Sequence, residues 1–314
     1  MLRAVLAAIL ALAVASPAAA WTRPGHMVTA AIAYDEIARL RPDLLPVLEK
    51  LLDAHPDRGP FQVAVDRTTG GERARRMFLE CARWSDDVRQ TPYDRPGWHM
   101  TLKPVVAADA PAETRARLAR RGAAAAAGEA LPGLVLNYAT LSDGRASAGE
   151  RATALCWVLH VTGDIHQPLH TAELFSAAWP DGDGGGSKEY VRDPLGPDPI
   201  VLHWLWDDSI SRSGQAADAD RRAREIEAAH PRASLRELKP GPPDFVAWAQ
   251  EESYALAVSF AYGANPPSSP RPETAPPVPQ SYWTRLKAHA ETRVALAGYR
   301  IADAVIVALD AAAR

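Results

Sequence analysis

Cysteine is nearly absent: two in 314 residues, too few for a disulfide scaffold or a cysteine-rich zinc module. Lysine is scarce as well, with five among 35 basic residues, and neither sign of charge dominates, the formal net charge being −3. That balance excludes a strongly basic nucleic-acid binder working by phosphate neutralisation alone. It leaves room for an enzyme with a local positive site. Past residue 20 no segment has the ~20 apolar residues a membrane span requires. With 47% hydrophobic residues and nine Trp, the composition is far from that of a disordered chain. The length admits one large domain or two ordinary ones.

What is present begins with a leader. Met1-Leu2-Arg3 precedes an apolar run at residues 4–15, followed by Ser16-Pro17-Ala18-Ala19-Ala20. A basic start, a short apolar stretch and an Ala-x-Ala site are the marks of a secretory signal peptide. Cleavage after Ala20 makes Trp21 the mature N-terminus and removes Arg3, taking the net charge from −3 to −4. The expected product, residues 21–314, is soluble and secreted or periplasmic.

The mature chain reads as helix after helix. Val28, Ile32, Ala33, Ile37 and Leu40 fall on one face at helical spacing, and Leu44, Leu48, Leu51 and Leu52 repeat the pattern. Further helices are expected at 72–89, 112–130, 149–169, 204–210, 216–229, 244–262 and 282–313, with Pro168 closing the one at 149–169. Residues 181–199 are dense in Gly, Asp and Pro and read as a loop, with a short strand at 188–191. Residues 266–279 read as a Pro-rich extended connection. The expectation is a single all-α domain with long Gly/Pro-rich loops.

The chemistry gathers between His160 and His170. His160 and Asp164 are four apart, which puts imidazole and carboxylate on one helix face. His170 follows Pro168, where the chain leaves the helix and can return a third ligand. His203 and Asp207 repeat the spacing. One such pair is weak evidence. Two pairs and a third His, in a chain with two Cys, point to a metal site built from nitrogen and oxygen donors. Asp86 and Arg89 beside Trp84, His99 beside Trp98, and His26 five residues after Trp21 then gain meaning.

In this order these segments resemble the S1/P1 nuclease family. The resemblance rests on Trp21-Thr22-Arg23-Pro24-Gly25-His26, on Trp84-Ser85-Asp86-Asp87-Val88-Arg89, on the stretch from His160 to His170, and on Leu202-His203 with Asp207. It implies a mostly helical fold of the phospholipase C/P1 nuclease type, holding three zinc ions. By position, Asp86, His99, His160 and Asp164 would hold the first. His170, His203 and Asp207 would hold the second. The amine and carbonyl of Trp21, with His26 and Asp164, would hold the third. A free α-amine can lose its proton to a metal, so signal cleavage would be a chemical requirement. The activity implied is hydrolysis of single-stranded DNA and RNA to 5′-phosphate products, with 3′-nucleotidase activity and a metal-activated hydroxide as nucleophile. Asp86 would orient the water and Arg89 would meet charge on the phosphoryl oxygens. Three Zn²⁺ would bring the mature chain from −4 to about +2, a positive charge that is inorganic.

Two positions depart from the family pattern. Met100 stands where an aromatic ring usually follows the second-segment His. Gly184-Gly185-Gly186 stands where Gly-Gly-Asn is usual. Met100 and Tyr190 are the candidate substrate contacts, with Trp179 and Tyr93 as further rings. The Trp residues beside Asp86, His99 and His203 are expected to pack and fix ligand rotamers. His166 reads as a satisfied surface side chain or a support to the ligands, and Arg115 to Arg121 as a solvated face. Cys81 and Cys156 are open between a disulfide and two buried thiols. Zinc phospholipase C is the nearest rival; its late pair ends in Glu, whereas Asp207 stands here. A zinc-binding protein without catalysis is the rival of another class. A monomer is expected.

Overall fold

A helix that is apolar all round has to lie inside the protein, and two helices here do. The computed structural model describes residues 21–59, 61–62, 68, 70–122, 126–263 and 268–314. The expected signal peptide, residues 123–125 of the alanine tract and residues 264–267 lie outside them. Helix α1 (Arg23–Leu40) is buried continuously from Pro24 to Tyr34. Around it pack α3 (Gly70–Asp87), α8 (Ala216–Ala229) and the long C-terminal α9 (Gln280–Ala312). Helix α6 (Ala148–Asp164) is equally enclosed, buried without a break from Ala154 to Asp164. It starts at a capping box in which Ser147 and Glu150 satisfy each other's backbone N–H groups. It packs on α3 and on α5 (Ala130–Ser142).

Further helices among the described residues are α2 (Leu45–Asp53), α4 (Ala112–Arg121) and α7 (Leu202–Asp207), and π-helical turns at Ala247–Ser253 and Ala257–Ala261 flank one α turn, Tyr254–Leu256. Strands are few. β1 (Lys103–Val106) pairs in parallel with β2 (Ala172–Phe175), Lys103 opposite Ala172. β3 (Tyr190–Arg192) pairs antiparallel with β4 (Pro199–Val201), Tyr190 opposite Val201. The fold is mostly helical, as the sequence implies.

Three expected elements differ. The helix expected at 112–130 stops at Arg121, where Gly122 takes φ +83°, and α5 follows as an element that periodicity does not announce. Pro132 and Gly133 look like breakers, yet Pro132 sits in the first turn, where its missing N–H has no intrahelical acceptor to serve. The helix expected at 149–169 ends at Asp164. Pro168 cannot donate to the carbonyl four residues back, and its ring crowds that carbonyl. Residues 244–262 expected as α-helix run largely as π turns.

The apolar core falls into two clusters. The larger joins α1, α3, α5, α6 and α9. The smaller gathers Leu169, Val191, Leu202, Leu205 and Trp206 against Phe260, Tyr282 and Trp283. His26 and His160 sit on helices of the larger cluster, while His170 and His203 directly follow Leu169 and Leu202 of the smaller. A single disulfide, Cys81–Cys156, ties α3 to α6, and it settles the alternative that the sequence leaves open.

Candidate metal centre

The ends of buried helices bring the titratable side chains together. His160 and Asp164 occupy the last turns of α6, one above the other on one face. The chain then turns through Pro168–His170, which delivers His170. Helix α7 carries His203 and Asp207 at the same i, i+4 spacing. Asp86 comes from the end of α3, His99 from the turn Pro96–His99 and His26 from the start of α1. All eight side chains are at most 2% exposed.

They form three groups, His26–Asp86–His160 and His99–His160–Asp164, which share His160, and His170–His203–Asp207, each with its donor atoms within 4.8 Å of one another. Asp164 is the hub. Its Oδ1 lies 3.2 Å from His26 Nε2, and its Oδ2 lies 3.3 Å from His99 Nδ1 and 3.4 Å from His160 Nε2. Asp207 Oδ2 is 3.4 Å from His203 Nε2, and His203 and His170 bring their Nε2 atoms to 3.0 Å.

The outer nitrogens are tied to the backbone. His160 Nδ1 meets the Ala82 carbonyl at 2.8 Å, His170 Nδ1 the His99 carbonyl at 2.6 Å and His203 Nδ1 the Gly185 carbonyl at 2.6 Å. A carbonyl only accepts, so Nδ1 carries the proton and Nε2 turns its lone pair inward, the arrangement metal-binding imidazoles adopt. Burial pushes the His26, His99 and His170 imidazoles well toward the neutral form, and that of His160 in the same direction. Neighbouring imidazoles add to the effect at His26, His99 and His170, while Asp86 opposes it at His160. Burial likewise raises the Asp164 carboxyl, with Asp86 and Asp207 adding to it. It raises Asp207 too, against a hydrogen bond from Gln167.

Buried polar atoms normally have hydrogen-bond partners. Here Asp86 Oδ2, both oxygens of Asp164, Asp207 Oδ2 and both ring nitrogens of His26 have none. Three carboxylates in so dry a place are costly without a cation. Neutral imidazole and carboxylate are the donors that suit zinc. The residues present therefore fit the metal that the sequence implies.

Glycine makes room at two points. A Cβ on Gly163 would stand 2.9 Å from His26 Nδ1, and one on Gly185, at φ +66°, would stand 2.4 Å from the Leu169 carbonyl. Gly185 and Gly186 are held by Asp183, whose carboxylate takes both of their N–H groups as well as those of Leu174 and the Tyr262 hydroxyl. Asp183 thus fixes the carbonyl that orients His203. Gln167 does the same for Asp207, donating Nε2 to Oδ1 at 2.8 Å. Neither role is visible in residue spacing, although Gln167 lies inside the sequence motif.

Trp21 is buried, and its indole donates to the Gly163 carbonyl at 3.0 Å. This sets Trp21 beside the hub. Arg89 donates Nη2 to Asp86 Oδ1 at 3.0 Å and lines a cavity of about 910 Å³ together with Arg23, Asp86, Trp204, Asp207 and Arg212. Met100 and Tyr190 are half-buried and are not among the described residues lining that cavity. Trp84 is buried as expected, but Trp204 is 40% exposed instead of packed. His166 is no surface residue: it is buried, between the Thr162 carbonyl at 2.7 Å and Arg300 Nη1 at 2.9 Å. Arg115, Arg120 and Arg121 are exposed, the solvated face expected of them.

No curated protein matches the chain in sequence. A family model described as S1/P1 Nuclease matches residues 21–310, nearly the whole chain. The matched span contains all eight clustered His and Asp side chains, and the chain belongs to the S1/P1 nuclease family.

Proposed function

We propose that residues 21–314 form one catalytic unit, a zinc-dependent phosphodiesterase that cleaves single-stranded DNA and RNA to 5′-phosphate products and also removes 3′-phosphates from nucleotides. The reading places it outside the cell membrane as a monomer after removal of residues 1–20. The observation that carries it is the set of buried, unpartnered oxygens and nitrogens converging from α1, α3, α6 and α7, of which those of Asp86 and Asp207 belong to residues lining the cavity. Asp86, His99, His160 and Asp164 would hold one zinc, and His170, His203 and Asp207 a second. The amine and carbonyl of Trp21 would hold a third with His26 and Asp164.

When bound, such ions polarise the phosphate and activate water. The chain supplies the rest. Carbonyl-anchored imidazoles keep their donor nitrogens aimed inward, which removes reorganisation from the reaction. Asp86 has one oxygen committed to Arg89 and the other unpartnered, which suits it to orient a water. Arg89, at the cavity wall, is placed to stabilise charge growing on phosphoryl oxygens.

The test incubates purified mature protein with single-stranded DNA, RNA and phosphatidylcholine, each with and without chelator, beside a metal analysis. Chelator-sensitive cleavage of nucleic acid to 5′-phosphate ends is expected, with three zinc ions per chain. Cleavage of the lipid alone would move the reading to a phospholipase, and bound zinc without any cleavage to a metal-binding protein.

A further inference from the structure

We infer that Trp204 is the stacking platform for a nucleobase next to the scissile phosphate, an assignment that rests on the nuclease reading above. On α7 every other residue is buried: Leu202, His203, Leu205, Trp206 and Asp207. Trp204 alone points out, 40% exposed. Its position follows from the helix. His203 and Asp207 share the inward face, so Trp204 and Asp208 share the next one, and both line the 910 Å³ cavity. Trp204 is the one aromatic residue among the described residues lining it.

The indole has no structural work to explain it. Trp21, Trp84 and Trp206 are fully buried, and each donates its indole N–H within the protein. Trp204 makes no side-chain hydrogen bond, ring contact or cation contact among the described residues. Of the large apolar side chains exposed among the described residues, Trp204 is the one aromatic ring, and it stands beside the clustered ligands. The chemistry around it selects the class of cover. The ring faces the same cavity as Asp86 and Arg89, where a phosphodiester would react, and it immediately follows His203. A flat π-system tethered to a phosphate fits both features, and stacking accepts any base because every base has a π-face. The ring missing at Met100 is thus supplied from the opposite side of the motif order, by α7.

The experiment uses oligothymidylates carrying a single abasic residue at each position in turn. They are cut by the zinc-loaded wild type, W204A, W204F and W204L, with zinc content and melting temperature recorded for each. At one position next to the cleaved bond, base removal should raise the wild-type KM roughly ten- to a hundredfold, the scale of one stacked base. W204A should show that loss on the intact oligonucleotide and no further loss when the base is removed. W204F should recover most of it. W204L keeps apolar volume without a ring and carries the comparison should alanine cost zinc or stability. Equal behaviour of W204A, W204L and wild type overturns the assignment alone, and so does an equal loss on intact and abasic substrates at every position. Failure of the wild type to cut any oligonucleotide overturns the nuclease reading and the stacking with it.

Discussion

Asp164 gives each oxygen a different set of neighbours: His26 on one side, His99 and His160 on the other. If both oxygens bind metal, the amide of D164N, with one weak oxygen donor and one NH2 that cannot ligate, should lose zinc together with activity. Metal analysis checks it, and three retained zinc ions would refute the bridge. Arg89 is a different case, since it touches Asp86 and the cavity but no imidazole. R89A should keep its zinc and lower kcat by about 10²–10³-fold, the cost of one preorganised charge-stabilising donor, about 2.7–4 kcal/mol. A fall in zinc content would instead make Arg89 a support for Asp86. The ligand residues are legible in the sequence because i, i+4 spacing on a helix is geometry written along the chain. Gln167 and Asp183 are not, because each acts on a partner that only folding brings near. Trp204 is misread for the same reason: a Trp beside a ligand looks like packing until the helix phase shows it facing water.

The loop between β2 and β3 shows how an element without regular structure can be rigid. Asp183 receives three backbone N–H groups and the Tyr262 hydroxyl, and Glu189 faces it from the loop's far end, taking the Ser268 hydroxyl on its other oxygen. Burial first, and Asp183 second, push the Glu189 carboxyl up to about 8. Below that pH it is an acid that donates to Asp183. The folded-state value lies above the ordinary 4.5, so the folded protein holds this proton more tightly than the unfolded chain. The stability it contributes is therefore whole below 4.5 and is lost as pH rises toward 8. The melting temperature of zinc-saturated protein should fall across that window. E189Q, neutral throughout and still able to donate, should flatten the fall, and an unchanged slope would remove Glu189 from the account. Elements of this kind resist sequence reading. Gly-rich composition announces a loop at 181–199, yet what holds it is a carboxyl pair six residues apart. The π turns at Ala247–Ser253 and Ala257–Ala261 carry the same composition as an α-helix and give no warning of their register.

Across the whole molecule, the candidate metal centre draws on both apolar clusters: His26 and His160 sit on helices of one, and His170 and His203 follow Leu169 and Leu202 of the other. The Cys81–Cys156 bond fastens α3 to α6, five residues before Asp86 and four before His160 in sequence. The mostly helical architecture is readable from periodicity. That the centre lies between two cores is not, because periodicity tells which face is buried and not against what. The proposed removal of residues 1–20 belongs to this scale, since it would join a processing event to the centre. The Trp21 indole is anchored on the Gly163 carbonyl, one residue from Asp164, and His26, one turn further along the same strand of chain, presents its Nε2 to Asp164 Oδ1. If the chain begins at Trp21, this anchor would hold the new amine and its carbonyl near the hub, and an α-amine titrating near pH 8 can ligate once it gives up its proton. An amide nitrogen cannot. A chain carrying one extra residue before Trp21 should therefore fold with both cores intact, bind about two zinc ions in place of three, and lose most of its activity. The measurement pairs metal analysis with the melting curve: a variant that melts like the cleaved chain but lacks one zinc locates the defect at the terminus. Three zinc ions and full activity in the extended chain would show that the third site forms without the free amine.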